Sequence, residues 1–251
     1  MGRALIIVLA GLLAFSAPAC AQTQPPSRFE GWTSAVIAAD WRDGQGRPIE
    51  AFDNARRDLV DGFRAAGLPR AGMVDYSLRP DAPAPVSAME ALQGVTKAAA
   101  ANPRGCLLYF TSHGAPQGMV FGEGMLPPDR LAALVRGWCG TRPTVVIVSA
   151  CFSGVFVNAL AAPNRMVLTA ASRERASFGC GADERYPWFD GCILETLPTA
   201  SDFLALAAGA RACVARKEQE NGVGPPSEPQ LYVGSEMQLR LPTLRFQRSP
   251  G

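Results

Sequence analysis

The sequence predicts a three-layer α/β domain built on a mostly parallel sheet of about six strands. Three observations carry that expectation. Cys106–Thr111 (CLLYFT) and Thr144–Ser149 (TVVIVS) are continuous apolar runs without polar alternation, the pattern of strands buried on both faces of a parallel sheet. Between them Leu131, Leu134, Val135 and Trp138 recur at helical spacing, which makes a strand–helix–strand unit. A chain of 251 residues, 48% of them hydrophobic, can bury one substantial core and has little left for a second.

The remaining elements follow in order. Ser34–Ala39 reads as the first buried strand. Phe52–Ala66 is a helix with Phe52, Leu59, Phe63 and Ala66 on one face, ended by Gly67. Met73–Tyr76 is a short strand and Ser77–Pro85 a proline-rich loop. Ser87-Ala-Met-Glu90 is a capping box, so a helix should run from there to about Ala101. Pro127 and Pro128 open the crossover helix, and Gly140 and Pro143 end it. Met166–Ala170 is a further strand, Asp202–Lys217 a helix, Gly222–Pro229 a loop and Gln230–Val233 a last strand.

Before these elements lies a targeting segment. Arg3 precedes a twelve-residue apolar run, Ala4–Phe15, too short to span a bilayer, and Ala17-Pro-Ala-Cys-Ala21 offers small residues at cleavage spacing. Residues 1–21 are therefore expected to be a signal peptide cut after Ala21 (Ala19 also fits), 22–30 a polar tether, and 31–245 the domain. Lipid attachment at Cys20 is the less favoured alternative, because Ala17 stands where a leucine is usual. The mature chain is expected to be exported, periplasmic or secreted, with no transmembrane span. Oligomeric state cannot be read.

Composition narrows the function classes. A net charge of +2 with 18% charged residues lacks the basic excess of a nucleic-acid binder. One histidine excludes a multi-histidine metal site. Seven cysteines suit export, which permits disulfides. Removing the signal leaves six, and if one is a catalytic thiol at least one other is unpaired. Cys106 with Cys139, and Cys180 with Cys192, are the expected pairs. Zinc is disfavoured by the lack of a C-x-x-C pair, and with no ligand cluster or phosphate loop no metal or organic cofactor is expected.

In an open parallel sheet, ligands bind beyond the carboxyl ends of the strands. His113 follows the strand Cys106–Thr111, and Cys151 follows Thr144–Ser149. If these strands are neighbours, about 4.8 Å apart, both side chains project from one rim. A cysteine beside a histidine can attack an acyl carbon: the thiolate is the nucleophile, and the imidazole moves the proton. Gly114 lets the backbone approach a ligand closely, so its N–H and that of Cys151 are candidate oxyanion donors. Either residue taken alone reads more readily as a buried structural side chain or half of a disulfide. Their pairing, each in a Gly/Ser turn after adjacent strands, is what points to catalysis. Asp40, at the end of the first strand, could orient His113, although a solvated turn acid is the favoured reading.

Tyr109-Phe-Thr-Ser-His-Gly-Ala-Pro116 resembles the histidine motif of the legumain-type cysteine peptidases, the asparaginyl endopeptidases of the caspase-like clan. Val148-Ser-Ala-Cys-Phe-Ser-Gly154 resembles their nucleophile motif. Val167-Leu-Thr-Ala-Ala171 through Ser177-Phe-Gly-Cys180 is similar to the strand and substrate-binding segment that follow. The order and spacing hold over about Ser34 to Leu197; the rest, including Pro225–Val233, resembles the bacterial branch of the family less distinctively. The resemblance implies a caspase-like fold and a peptidase that cleaves peptide or protein substrates after asparagine or aspartate. His113 would be the catalytic base or acid, Cys151 the nucleophile and Gly114 an oxyanion donor. Ser172 would contact substrate through its backbone, Asp190 or Asp183 would face the substrate amide, and Arg42 or Arg47 would supply the pocket's arginine. Two residues depart from the family pattern: Phe152 stands where an acid often follows the nucleophile, and Ser112 where an aspartate precedes the histidine. The same residues would serve a transpeptidase or ligase, and an inert dyad would leave a binding module of the same fold.

Overall fold

The computed structural model describes residues 1–2 and 27–247. The expected signal peptide, Cys20 and most of the tether lie outside the described residues. Of the tether, Phe29 is fully buried and packs edge-on against Trp32 and Phe203.

Nine strands and seven α-helices are described. Six strands form the central sheet: β1 (Trp32–Ala38), β2 (Met73–Ser77), β3 (Gly105–Thr111), β7 (Thr144–Ser149), β8 (Arg165–Thr169) and β9 (Gln230–Val233). Their spatial order is β2-β1-β3-β7-β8-β9, with every pair parallel except β8 with β9. Three short strands, β4 (Gly114–Ala115), β5 (Gly118–Phe121) and β6 (Gly124–Leu126), make a separate antiparallel meander directly after His113.

The sheet is covered on both faces. Along β3, Leu107 and Tyr109 point to one side and Leu108 and Phe110 to the other; along β7, Val145 and Ile147 oppose Val146 and Val148 in the same way. The first set meets α1 (Ala51–Ala65), α5 (Trp188–Thr196) and α6 (Phe203–Glu220) through Leu59, Phe63, Phe189, Ile193 and Leu206. The second meets α2 (Ala88–Ala101), α3 (Pro128–Cys139) and α4 (Val155–Leu160) through Val95, Leu131, Val135 and Phe156. This is the expected three-layer architecture. The short α7 (Ser235–Arg240) closes the chain against the first layer through Met237.

Local chemistry sets the helix ends. Ser87 Oγ accepts from the Glu90 N–H at 3.2 Å while Glu90 Oε2 accepts from the Ser87 N–H at 2.7 Å, the reciprocal cap read from the sequence. Pro128 occupies the first turn of α3, where its missing N–H costs nothing, and Gly140 at φ 54° ends the helix.

Two disulfides pin helices in place. Cys106–Cys139 joins the start of β3 to the end of α3, as expected. The second differs from expectation: Cys192 pairs with Cys213, not with Cys180, and joins α5 to α6. Cys192 lies on the inner face of α5, against α6, whereas Cys180 packs near Ala38, Ile49, Ala51 and Phe52 at the far end of β1. No described helix is long and apolar enough to cross a membrane.

Candidate active site

The site is assembled by sheet register. β3 and β7 are adjacent and parallel, with Thr111 opposite Ser149 as the last pair, and the Ser112 N–H then donates to the Ser149 carbonyl at 3.0 Å. His113 and Cys151 each stand two residues beyond that pair, on neighbouring chains at the carboxyl edge of the sheet. The strands beyond the ladder stay in close contact. A Cβ on Gly114 would lie 2.1 Å from the Cys151 carbonyl oxygen and 3.0 Å from the Ala150 side chain, so only glycine lets the two turns approach this closely.

His113 is held on two sides. Its ring packs edge-to-face on Phe52 of α1 at 5.0 Å, and its Nε2 lies 2.7 Å from the Arg42 carbonyl oxygen. A carbonyl can only accept, so Nε2 carries the proton and Nδ1 is the nitrogen left to exchange one. The Arg42 carbonyl is positioned by a turn. Asp40 Oδ1 accepts from the Trp41 N–H at 2.8 Å, the Arg42 N–H at 3.3 Å and the Arg42 Nε at 2.9 Å. Asp40 is thus a buried turn acid, not a solvated one, and it shapes the backbone that holds the imidazole.

Cys151 is partly buried. Its sulfur accepts the Ser177 N–H at 3.3 Å and lies 3.4 Å from the Ser177 carbonyl and 3.6 Å from its hydroxyl. The turn after Cys151 is tightly pinned. Phe152 has φ 57°, uncommon for a residue with a side chain, and its N–H donates to the Arg175 carbonyl at 2.8 Å. Ser153 Oγ accepts from the Ala171 N–H at 3.1 Å, and a Cβ on Gly154 would meet Arg173 N at 2.4 Å.

The specificity residues read from the resemblance are dispersed. Arg42 stands at the site rim with its guanidinium engaged: Nε on Asp40, Nη1 on Glu123 at 2.9 Å, Nη2 on the Gly122 carbonyl at 2.7 Å. Arg47 points to Asp43 at the exposed tip of the same loop. Ser172 spends its N–H on the Ser227 carbonyl at 2.8 Å and lines an open pocket of about 390 Å³ with Gly154, Val155, Asn158, Arg173 and Gln230. Asp183 is exposed on the loop before α5. Asp190 departs from expectation. It lies in the first turn of α5, not in a loop, and is fully buried under the sheet edge on Tyr109 and Thr111, out of reach of a substrate side chain.

Three contributors escaped the sequence reading. The Arg42 carbonyl acts through its backbone, which leaves no side-chain signature. Phe52 was read only as a core-facing helix residue. Cys180 lies unpaired beside Phe52; burial pushes its thiol up, and the Cys151 and Asp190 charges push it further.

The segment that carries these turns is similar to a known family. Residues 91–197 match the Peptidase C13 family. The Peptidase C13 segment runs from α2 into the end of α5 and contains both His113 and Cys151. It is the legumain family that the three motifs resemble. No curated protein sequence matches the chain. Among solved structures, the chain is similar to caspase-1 from Spodoptera frugiperda at 12% identity and a TM-score of 0.62, over 87% of this chain and 93% of that one. It is also similar to a structure described as pro-sf-caspase-1, at 13% identity and a TM-score of 0.59, over 88% and 97% of the two chains. At such identities the likeness speaks for the fold alone, and the fold is caspase-like. Family match and fold together support a cysteine peptidase.

Proposed function

We propose that the chain is an exported cysteine endopeptidase in which Cys151 and His113 form the catalytic dyad. The observation that carries this reading is the β3–β7 register, which sets both residues two positions past the Thr111–Ser149 pair. With Nε2–H on the Arg42 carbonyl, His113 Nδ1 takes the thiol proton, and the thiolate attacks the scissile carbonyl. The N–H groups of Gly114 and Cys151 stabilise the oxyanion. The imidazolium then protonates the leaving amine, and water hydrolyses the thioester.

Cleavage after asparagine or aspartate is part of the proposal. Arg42 borders the imidazole, and its guanidinium exchanges the exposed Glu123 carboxylate for the substrate side chain; Asp183 lies on the neighbouring loop, and Ser172 belongs to the segment beside the nucleophile turn. Two disulfides support an oxidising compartment and hence export, with residues 1–21 as signal, 22–30 as tether and 31–245 as the peptidase domain.

The test is turnover of fluorogenic peptides with Asn, Asp, Lys or Leu at the cleaved position. Cys151→Ala should lose on the order of 10³-fold or more, and His113→Ala roughly 10²- to 10⁴-fold, with both variants folded. Undiminished cleavage by either variant refutes the dyad. Equal cleavage after Lys or Leu refutes the specificity. Capture of the acyl group by an added amine would make the enzyme a ligase using the same residues.

A further inference from the structure

A buried carboxyl holds the end of the strand that leads to His113. Asp190 is fully buried and accepts from the Tyr109 hydroxyl and, at 2.5 Å, from Thr111 Oγ1, both on β3. Across the ladder the Ser149 hydroxyl of β7 also favours its ionised form. Thr111 and Ser149 are the last paired residues of these strands, each two positions before a member of the dyad. Asp190 is itself anchored: it sits in the first turn of α5, and two residues on, Cys192 is bonded to Cys213 of α6.

We propose that Asp190 is a positioning residue, its buried carboxyl tying the end of β3, the strand paired with β7, to α5 and so setting the approach of His113 to Cys151. The inference rests on the dyad reading above. Asp190 does not touch substrate; it acts through the Tyr109 and Thr111 hydroxyls of β3. No described basic side chain forms an ion pair with it. The titratable groups around it are Tyr109 on β3 and Cys180 on the loop before α5. Burial raises the Asp190 carboxyl to about 6, so protonation in mildly acidic solution removes an acceptor from the tie.

The experiment follows Cys151 itself, through its rate of alkylation by iodoacetamide between pH 5 and 8, with the modified peptide identified by mass spectrometry. Asp190→Asn should slow alkylation at pH 7.5 by about tenfold and move the acidic inflection, the scale at which small misplacements of reacting groups act. Thr111→Val should do the same, and Thr111→Ser, which keeps the hydroxyl, should restore the wild-type rate. Peptide turnover measured alongside should show kcat reduced with KM unchanged. Alkylation and kcat in Asp190→Asn equal to wild type would overturn the positioning role while leaving the peptidase reading intact. The converse, a tenfold change in alkylation in a protein that cleaves no peptide, would support the tie and overturn the peptidase reading.

Discussion

At the scale of single residues, the site depends on close backbone approach as much as on reactive side chains. Gly114 shows this best, since any Cβ there would overlap the Cys151 carbonyl. Gly114→Ala should therefore cost about 1–3 kcal/mol of stability by forcing the two turns apart, and should remove most turnover. Denaturant unfolding and peptide hydrolysis check both, and a fully active, unchanged Gly114→Ala variant would mean that the turns do not touch. Asp190 gives a second, pH-dependent prediction. Its carboxyl has an ordinary value of 3.8 and is raised by burial to about 6 in the fold. A raised value favours the neutral form, so this contribution to stability is fully present below about pH 4 and is lost as pH rises through about 6. Urea unfolding should show the wild type losing stability relative to Asp190→Asn across that window. Parallel curves for the two proteins would contradict it.

At the scale of elements, the six sheet strands were readable because their apolar runs, some only four residues long, are bounded by turn residues; Thr144–Ser149 and Gln230–Val233 match to the residue. The meander after His113 was not readable. Its strands are two to four residues long and begin at Gly114, Gly118 and Gly124, so neither alternation nor β-branched content marks them. Helix α5 was hidden by Pro187 before it and Gly191 within it, which read as loop and left Asp190 looking exposed. The same oversight misled the cysteine pairing: twelve residues separate Cys180 from Cys192, a plausible loop closure, yet the helix turns Cys192 toward Cys213. The bonds span 33 and 21 residues of sequence, and each should contribute about 3–4 kcal/mol by limiting the unfolded chain. Cys192→Ala/Cys213→Ala should lower the unfolding midpoint accordingly; an unchanged midpoint would show that α5 and α6 do not need the link.

At the scale of the whole molecule, the placement of His113 and Cys151 was legible because a parallel sheet collects reactive groups at one edge, and the chain has a single histidine to put there. The surrounding support was less legible, because it is made of carbonyls, amides and a buried acid from distant segments: Arg42, Ser177 and Asp190 converge from three different loops or helices. The two packed layers hold those segments in place, and an open pocket lies beyond β7 and β8. Covalent capture of the nucleophile tests the dyad most directly. A short peptide ending in Asn and carrying a thiol-reactive ketone should add one equivalent to the mature protein, at Cys151 alone, and should fail to add when His113 is replaced by Ala. Adduct on Cys180, or labelling of Cys151 that is indifferent to His113, would contradict a Cys151–His113 dyad.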